Sequence, residues 1–260
     1  MRGATKRRLG VTLLAALGLV LLPGAARAEA AEIKVLSAGA VRAIVTELAQ
    51  AFEKETGHKV SLAFGTAGVT RQRLASEPAD VVILTDAGID ATIKEGGIVA
   101  GTRADIGRSG MGVGVRDGAP RPDISTSDAF KRALLATPSI TYVDPAQGAT
   151  SGIYFASLLQ TFGIADAMKP KTTLVPGGYP AELVARGEVA MVVHQISEIV
   201  PVKGVALVGP LPREIQKVTV YSAGIATKST SPDAARAFVA FLTSPTLKPR
   251  LAAAGLDYKE

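Results

Sequence analysis

Between residues 33 and 254, short apolar runs alternate with stretches of helical periodicity, and most of the joins between them are built of glycine, alanine, serine and threonine. Residues 33–36, 59–64, 81–84, 111–115, 139–143, 173–176, 189–193 and 218–225 read as strands. Val41, Ile44, Val45, Leu48 and Phe52 fall on one face of a helix that Gly57 closes. Further helices are expected after Gly68, from Asp86 to Gly96, over 127–136, from the turn 144–152 through Phe162, and over 180–186, 232–242 and 245–254. Such alternation with short joins predicts an α/β protein with largely parallel sheets. The pattern is met best by two lobes. The long strands 111–116 and 218–226 carry the chain out of the first lobe and back, which assigns 29–113 plus 219–260 to lobe 1 and 114–218 to lobe 2. A ligand would then lie in the cleft between lobes.

Four of the joins sit at strand C-termini directly before helices: Ser37-Ala38-Gly39-Ala40, Gly65-Thr66-Ala67-Gly68, Gly148-Ala149-Thr150-Ser151 and Gly177-Gly178-Tyr179. Helix N-termini carry free N–H groups and a partial positive charge, so several of them facing one cleft suit an anion. Ser37, Thr66, Thr150 and Ser151 add hydroxyls, while the same residue types also serve any ordinary turn or cap. Arg71 and Arg73 follow the second turn and are candidates for pairing with a carboxylate. His194 and Gln195 end a buried run, where cleft residues lie.

Composition excludes several other chemistries. The chain of 260 residues has no cysteine, no tryptophan and only two histidines, His58 and His194. Thiolate nucleophiles, thiolate zinc sites and a histidine-rich metal centre are therefore out of reach, and neither a metal nor a cofactor is expected. No phosphate-binding glycine fingerprint and no nucleophile elbow is present. The formal charge of +6 falls to +1 when the five basic residues of 1–28 are removed, which leaves no basic face for nucleic acid. Those 28 residues have a basic start, an apolar core from Leu9 to Leu22, a Pro23-Gly24 break and an Ala26-Arg27-Ala28 cleavage site. They read as a signal peptide. The mature chain would begin near Glu29 in the periplasm, with no stable membrane insertion after cleavage.

The opening Ile33-Lys34-Val35-Leu36-Ser37-Ala38-Gly39-Ala40 resembles the first strand and turn of type II periplasmic solute-binding proteins, in particular the molybdate-binding branch. So do Pro78-Ala79-Asp80-Val81-Val82-Ile83, Asp144-Pro145 with Gly152-Ile153-Tyr154, and Leu183-Val184-Ala185-Arg186-Gly187-Glu188. The resemblance implies two α/β lobes, a two-strand hinge and oxyanion binding through helix ends and hydroxyls. Three hydroxyl positions of molybdate binders differ here, at Ala40, in the second turn and at Gln195. Gln195-Ile196-Ser197-Glu198, Val208-Gly209-Pro210-Leu211-Pro212 and the run from Gln216 to Gly224 are similar to the aconitate-isomerase branch of the same superfamily.

Two functions follow as expectations. The first is a monomeric binding protein that captures a small anion, an organic polycarboxylate or a molybdate-like oxyanion, and delivers it to an ABC permease. Backbone N–H groups of Ala38, Gly39, Ala40, Thr66, Ala67, Gly68, Ala149, Thr150, Ser151, Gly178 and Tyr179 would hold it, with Arg71 or Arg73 neutralising charge and His194 and Gln195 completing the site. The alternative is an aconitate isomerase with His194 as general base, supported by Glu198, Tyr154 or Tyr179.

Overall fold

The computed structural model describes residues 30–257, so the expected signal peptide lies outside the described residues. In chain order the elements are β1 (Glu32–Ala38), α1 (Arg42–Thr56), β2 (Lys59–Gly65), α2 (Ala67–Ser76), β3 (Val81–Thr85), α3 (Asp86–Lys94), β4 (Ala104–Arg116), α4 (Ser127–Ala136) and β5 (Ile140–Val143). There follow α5 (Thr150–Thr161), α6 (Ala165–Met168), β6 (Thr172–Val175), α7 (Ala181–Ala185), β7 (Met191–Gln195), α8 (Ile196–Ile199), β8 (Val205–Pro210), β9 (Val218–Ile225), α9 (Pro232–Leu242) and α10 (Lys248–Ala253). No helix among the described residues is long and apolar enough to cross a membrane.

The strands form one mixed sheet in the order β2-β1-β3-β9-β4-β7-β5-β6, with β8 also paired to β4. Its two ends are parallel: β2-β1-β3 in the first lobe and β7-β5-β6 in the second. Its middle is antiparallel, because β9 and β4 run against their neighbours. The change of lobe happens within β4. Residues Ala104 to Gly110 pair with β9, and Met111 to Arg116 pair with β7 and β8. Strand β4 therefore starts seven residues before the expected position, over a glycine-containing polar stretch that carries no apolar run. Strand β8 was not expected at all; it is a half-buried edge strand ending in Gly209-Pro210 and paired through a bulge.

Both lobes bury apolar residues on two faces, as parallel strands covered by helices must. Along β3, Val81 and Ile83 pack with α1 and α9 residues such as Leu48, Phe52 and Phe238. Val82 and Leu84 point the other way, to Ile89 and Ile98. Met111, Phe130, Phe155 and Met191 form the main core of the second lobe.

Two polar clusters hold this frame. Gln216 clasps the point where the chain changes lobe: its Oε1 accepts from Met111 N at 2.7 Å and its Nε2 donates to Met111 O at 2.9 Å. Asp80, buried at the entrance to β3, accepts from Lys34 N, Ser229 Oγ, Thr230 N and Ser231 N at 2.7–3.0 Å. Burial pushes its pKa up, but the hydrogen bonds from Lys34, Ser229, Ser231 and Thr230 outweigh that, and the carboxyl ends below its usual value. The Asp80 contribution is thus present above the unfolded pKa, about 3.9, and is lost as pH falls through the lower folded value. Asp80→Ala strands several buried donors, each costing roughly 1–3 kcal/mol. Urea unfolding should show a loss of at least about 3 kcal/mol at pH 7, and a smaller difference from wild type at pH 3 than at pH 7.

Candidate functional site

The parallel ends of the sheet turn their strand C-termini toward one cleft, and the cavity there has a volume of about 210 Å³. All four small-residue turns reach it. Ala38, Gly39 and Ala40 line it from the first, Gly65, Thr66 and Ala67 from the second, Ala149, Thr150 and Ser151 from the third, and Gly177 and Gly178 from the fourth.

The turns differ in what they leave open. Thr66 caps α2 by accepting from Val69 N, and its hydroxyl donates across the cleft to Gln147 O. Gly68, beside it, lies outside the cavity lining and donates its N–H to Gly148 O at 3.2 Å. The second turn is therefore a latch between the lobes. By contrast, Ala149 and Ala38 give no side-chain cap to the helical turns they open. The first N–H groups of α5 are left to whatever enters the cavity.

The ionisable residues lining the cavity are Arg42, His194, Glu198 and Tyr221. His194 is the penultimate residue of β7 and Glu198 lies four residues on, in the short α8 that folds back over the strand. That approach depends on glycine: a Cβ at Gly112 would come within 2.7 Å of Ile196 Cγ1, and one at Gly114 within 2.9 Å of Ile199 Cγ2. His194 and Glu198 are both buried. Their Nε2 and Oε2 atoms are 3.2 Å apart, yet neither ring nitrogen has a partner in hydrogen-bonding geometry. Buried polar atoms are nearly always partnered, so the two ring nitrogens of His194 are exceptions on the cavity wall. Tyr221 lies on the same wall, and burial first, then the Glu198 charge, holds its phenol well above the ordinary tyrosine pKa.

Several residues singled out by sequence sit elsewhere. Arg71 and Arg73 do not line the cavity; they pair at the surface with Glu95 at 2.7 Å and Glu77 at 2.6 Å. Ser37 is wholly buried and donates to Ala38 O at 3.1 Å. Gln195 belongs to the crossing between lobes. With its amide oriented to satisfy both ends, it accepts from Thr219 Oγ1 at 3.0 Å and donates to Ser109 O at 3.2 Å and Gly110 O at 3.3 Å. Tyr154 donates to Ile215 O at 2.7 Å, away from the cavity. Tyr179 does not line the cavity; its ring centroid lies 5.8 Å from the Arg42 guanidinium carbon. Arg42 itself is the cation that the sequence argument passed over; its signal was its place three residues after Gly39, at the start of the helix that the first turn opens.

A family model described as bacterial extracellular solute-binding protein matches residues 33–257. The chain belongs to that family. Among its relatives, the aconitate isomerase of a Pseudomonas species is 36% identical over 256 residues, covering 96% of both chains. The molybdate-binding protein ModA of Azotobacter vinelandii is 31% identical over 249 residues, covering 90% of this chain and 92% of that one. The solved structure of an Azotobacter vinelandii periplasmic molybdate-binding protein superposes with a TM-score of 0.73 at 18% identity, over 88% of this chain and all of that one. That likeness shows the fold: two lobes of the type II periplasmic-binding-protein kind, joined by two strands.

In this solute-binding protein the latch joins the two lobes beside the cavity. A Cβ at Gly68 would lie 3.1 Å from Gly148 Cα and 3.2 Å from Gln147 O, so Gly68→Val keeps the lobes from meeting. The variant should lose about tenfold or more in ligand affinity, about 1.4 kcal/mol, and show a larger radius of gyration by X-ray scattering with an unchanged melting temperature. Arg71→Ala and Arg73→Ala should leave affinity within about twofold in the same titration.

Proposed function

We propose that this chain takes a small unsaturated polycarboxylate into the cavity between its lobes and moves a proton along it, interconverting cis- and trans-aconitate. The observation that carries this is the buried His194–Glu198 pair on the wall of an anion-binding cavity. A site that only captured an anion would gain nothing from a buried carboxylate, which repels the ligand and is costly to bury. A site that transfers protons gains a positioned base from such a pair.

The isomers of aconitate interconvert when a proton leaves the methylene carbon and returns to the carbon at the far end of the double bond. In this reading the His194–Glu198 pair takes the proton, the electron pair spreads over three carbons into the adjoining carboxylates, and the same pair returns the proton at the other terminus. The double bond shifts by one position and takes the geometry of the conformer the cavity holds. The open N–H groups of α5 and the charge of Arg42 face the developing anion and lower its energy. The relative that is 36% identical and bears the name aconitate isomerase supports this reading.

A second reading is capture alone, with delivery to an ABC permease. It is favoured by the family's description as extracellular solute-binding proteins and by the 31% identity to a molybdate-binding protein. Both readings share two further proposals. Residues 1–28 act as a cleaved signal that places the mature chain in the periplasm. The lobes divide at 29–113 plus 219–260 and 114–218, to which the change of β4 partners at Gly110 and Met111 gives support to within a few residues.

Proton NMR of cis-aconitate with the mature protein in deuterated buffer separates the readings. Isomerase activity gives trans-aconitate, with deuterium at the reprotonated carbon to the extent that the pair exchanges its proton with solvent between the two steps, and His194→Gln and Glu198→Gln each lower turnover by about 100-fold or more. Line broadening without trans product establishes capture alone. An unchanged spectrum removes both readings for this ligand class.

A further inference from the structure

We infer that Arg42 is the specificity-determining residue of the cavity, a fork that grips one planar carboxylate of the ligand and is held in place by one aromatic ring from each lobe. The inference rests on the polycarboxylate reading above and says which of the protein's groups counts the ligand's carboxylates.

Arg42 opens α1 directly behind the first turn and lines the cavity. Its guanidinium carbon lies 4.9 Å from the centroid of Phe64, on β2 of the first lobe, and 5.8 Å from that of Tyr179, between β6 and α7 of the second. Aromatic faces attract a cation and fix its plane, but they accept none of the N–H bonds along its edge. Among the described residues, Arg42 is the arginine that lines the cavity, and its edges are not taken by a carboxylate of the chain. Arg71, Arg73, Arg103 and Arg186 each have a carboxylate partner at 2.5–3.1 Å, whereas among the described residues no ion pair or side-chain hydrogen bond engages Arg42. A half-buried guanidinium with oriented faces and free edges on a cavity wall is arranged for a bidentate oxyanion.

Tyr179 adds the link to closure. Burial, followed by the Glu198 charge, pushes its phenol up to about 12 against the opposing pull of Arg42. It stays neutral at any working pH, so it offers Arg42 a ring face and no competing anion. Because that ring comes from the facing lobe, the fork is fully bracketed only when the lobes meet, as they do at the Thr66–Gln147 latch. A carboxylate gripped by Arg42 and the bracket that aligns Arg42 then stabilise the same closed arrangement.

The test is calorimetric titration with tricarballylate, a saturated tricarboxylate that binds without any double bond to move, and with glutarate and methylsuccinate, which each lack one of its carboxylates. Wild type should prefer tricarballylate to both. Arg42→Gln should weaken tricarballylate by about 30-fold or more, and should weaken one of the two dicarboxylates by less than about threefold, namely the one already missing the carboxylate that Arg42 grips. Arg42→Lys, which keeps the charge and loses the planar fork, should not restore the preference. Tyr179→Phe should retain it and Tyr179→Leu should lose it with an unchanged melting temperature, whereas a merely structural role for the ring would lower the melting temperature and leave the preference between tri- and dicarboxylate intact. If wild type binds tricarballylate and both Arg42 variants bind it equally well, the inference is wrong and the polycarboxylate reading stands. If wild type binds none of the three carboxylates but does bind molybdate, that reading falls and the inference with it. Full recovery by Arg42→Lys overturns the fork and leaves only a point charge.

Discussion

Everything at the site depends on two antiparallel strands that cross between two parallel sets. Parallel strands joined by helices deliver all their outgoing turns to one edge. Strands β4 and β9 set two such edges face to face, because β4 pairs with β9 in its first half and with β7 and β8 in its second. Four small-residue turns from distant parts of the chain therefore line one cavity. The crossing is held by side-chain amides as well as by the strand ladder, with Gln216 bonded to both backbone groups of Met111 and Gln195 bonded to Thr219. Glycine at 112 and 114 lets α8 lie against β4 and carries Glu198 to His194.

The electrostatics of the cavity follow from that geometry. A site for a compact inorganic oxyanion needs neutral donors and a close fit. This one has Arg42 on one wall, a buried carboxylate and imidazole on another, and open helix N–H groups between them. The arrangement suits a ligand that presents carboxylate to one end and exchangeable protons to the other. Membership of a solute-binding family is compatible with such chemistry, since capture and isomerisation both begin with lobes closing over an anion.

The fold was legible because its signals are local. Apolar runs of four to six residues and periodic helices each follow from neighbouring side chains, and the four turns were visible for the same reason. What escaped was what depends on distant partners. Strand β8 carries the apolar run Val205-Ala206-Leu207-Val208, which the alternation of strands and helices left unassigned because no helix follows it; it is a half-buried edge paired to β4. The choice between Arg71, Arg73 and Arg42 as the cavity's cation turned on which ones had other partners. The Arg73–Glu77 spacing, four residues along a helix, was a usable sign that Arg73 faces solvent; Glu95, which takes Arg71, sits on another element. Glu198, four residues beyond His194, was in view as a supporting group, but a strand-to-helix bend brings the two together where an alternating strand would have parted them.

The central claim is that one ligand touches the fork of Arg42 and the His194–Glu198 pair at the same time. A crystal structure of the mature protein grown with trans-aconitate tests it most directly. The account predicts a carboxylate across the Arg42 guanidinium, another at the N-terminus of α5, and the terminal carbon that gains or loses the proton within about 3.5 Å of a His194 nitrogen or a Glu198 oxygen. A ligand seated against the backbone turns alone, with Arg42 and His194 both out of contact, would contradict it.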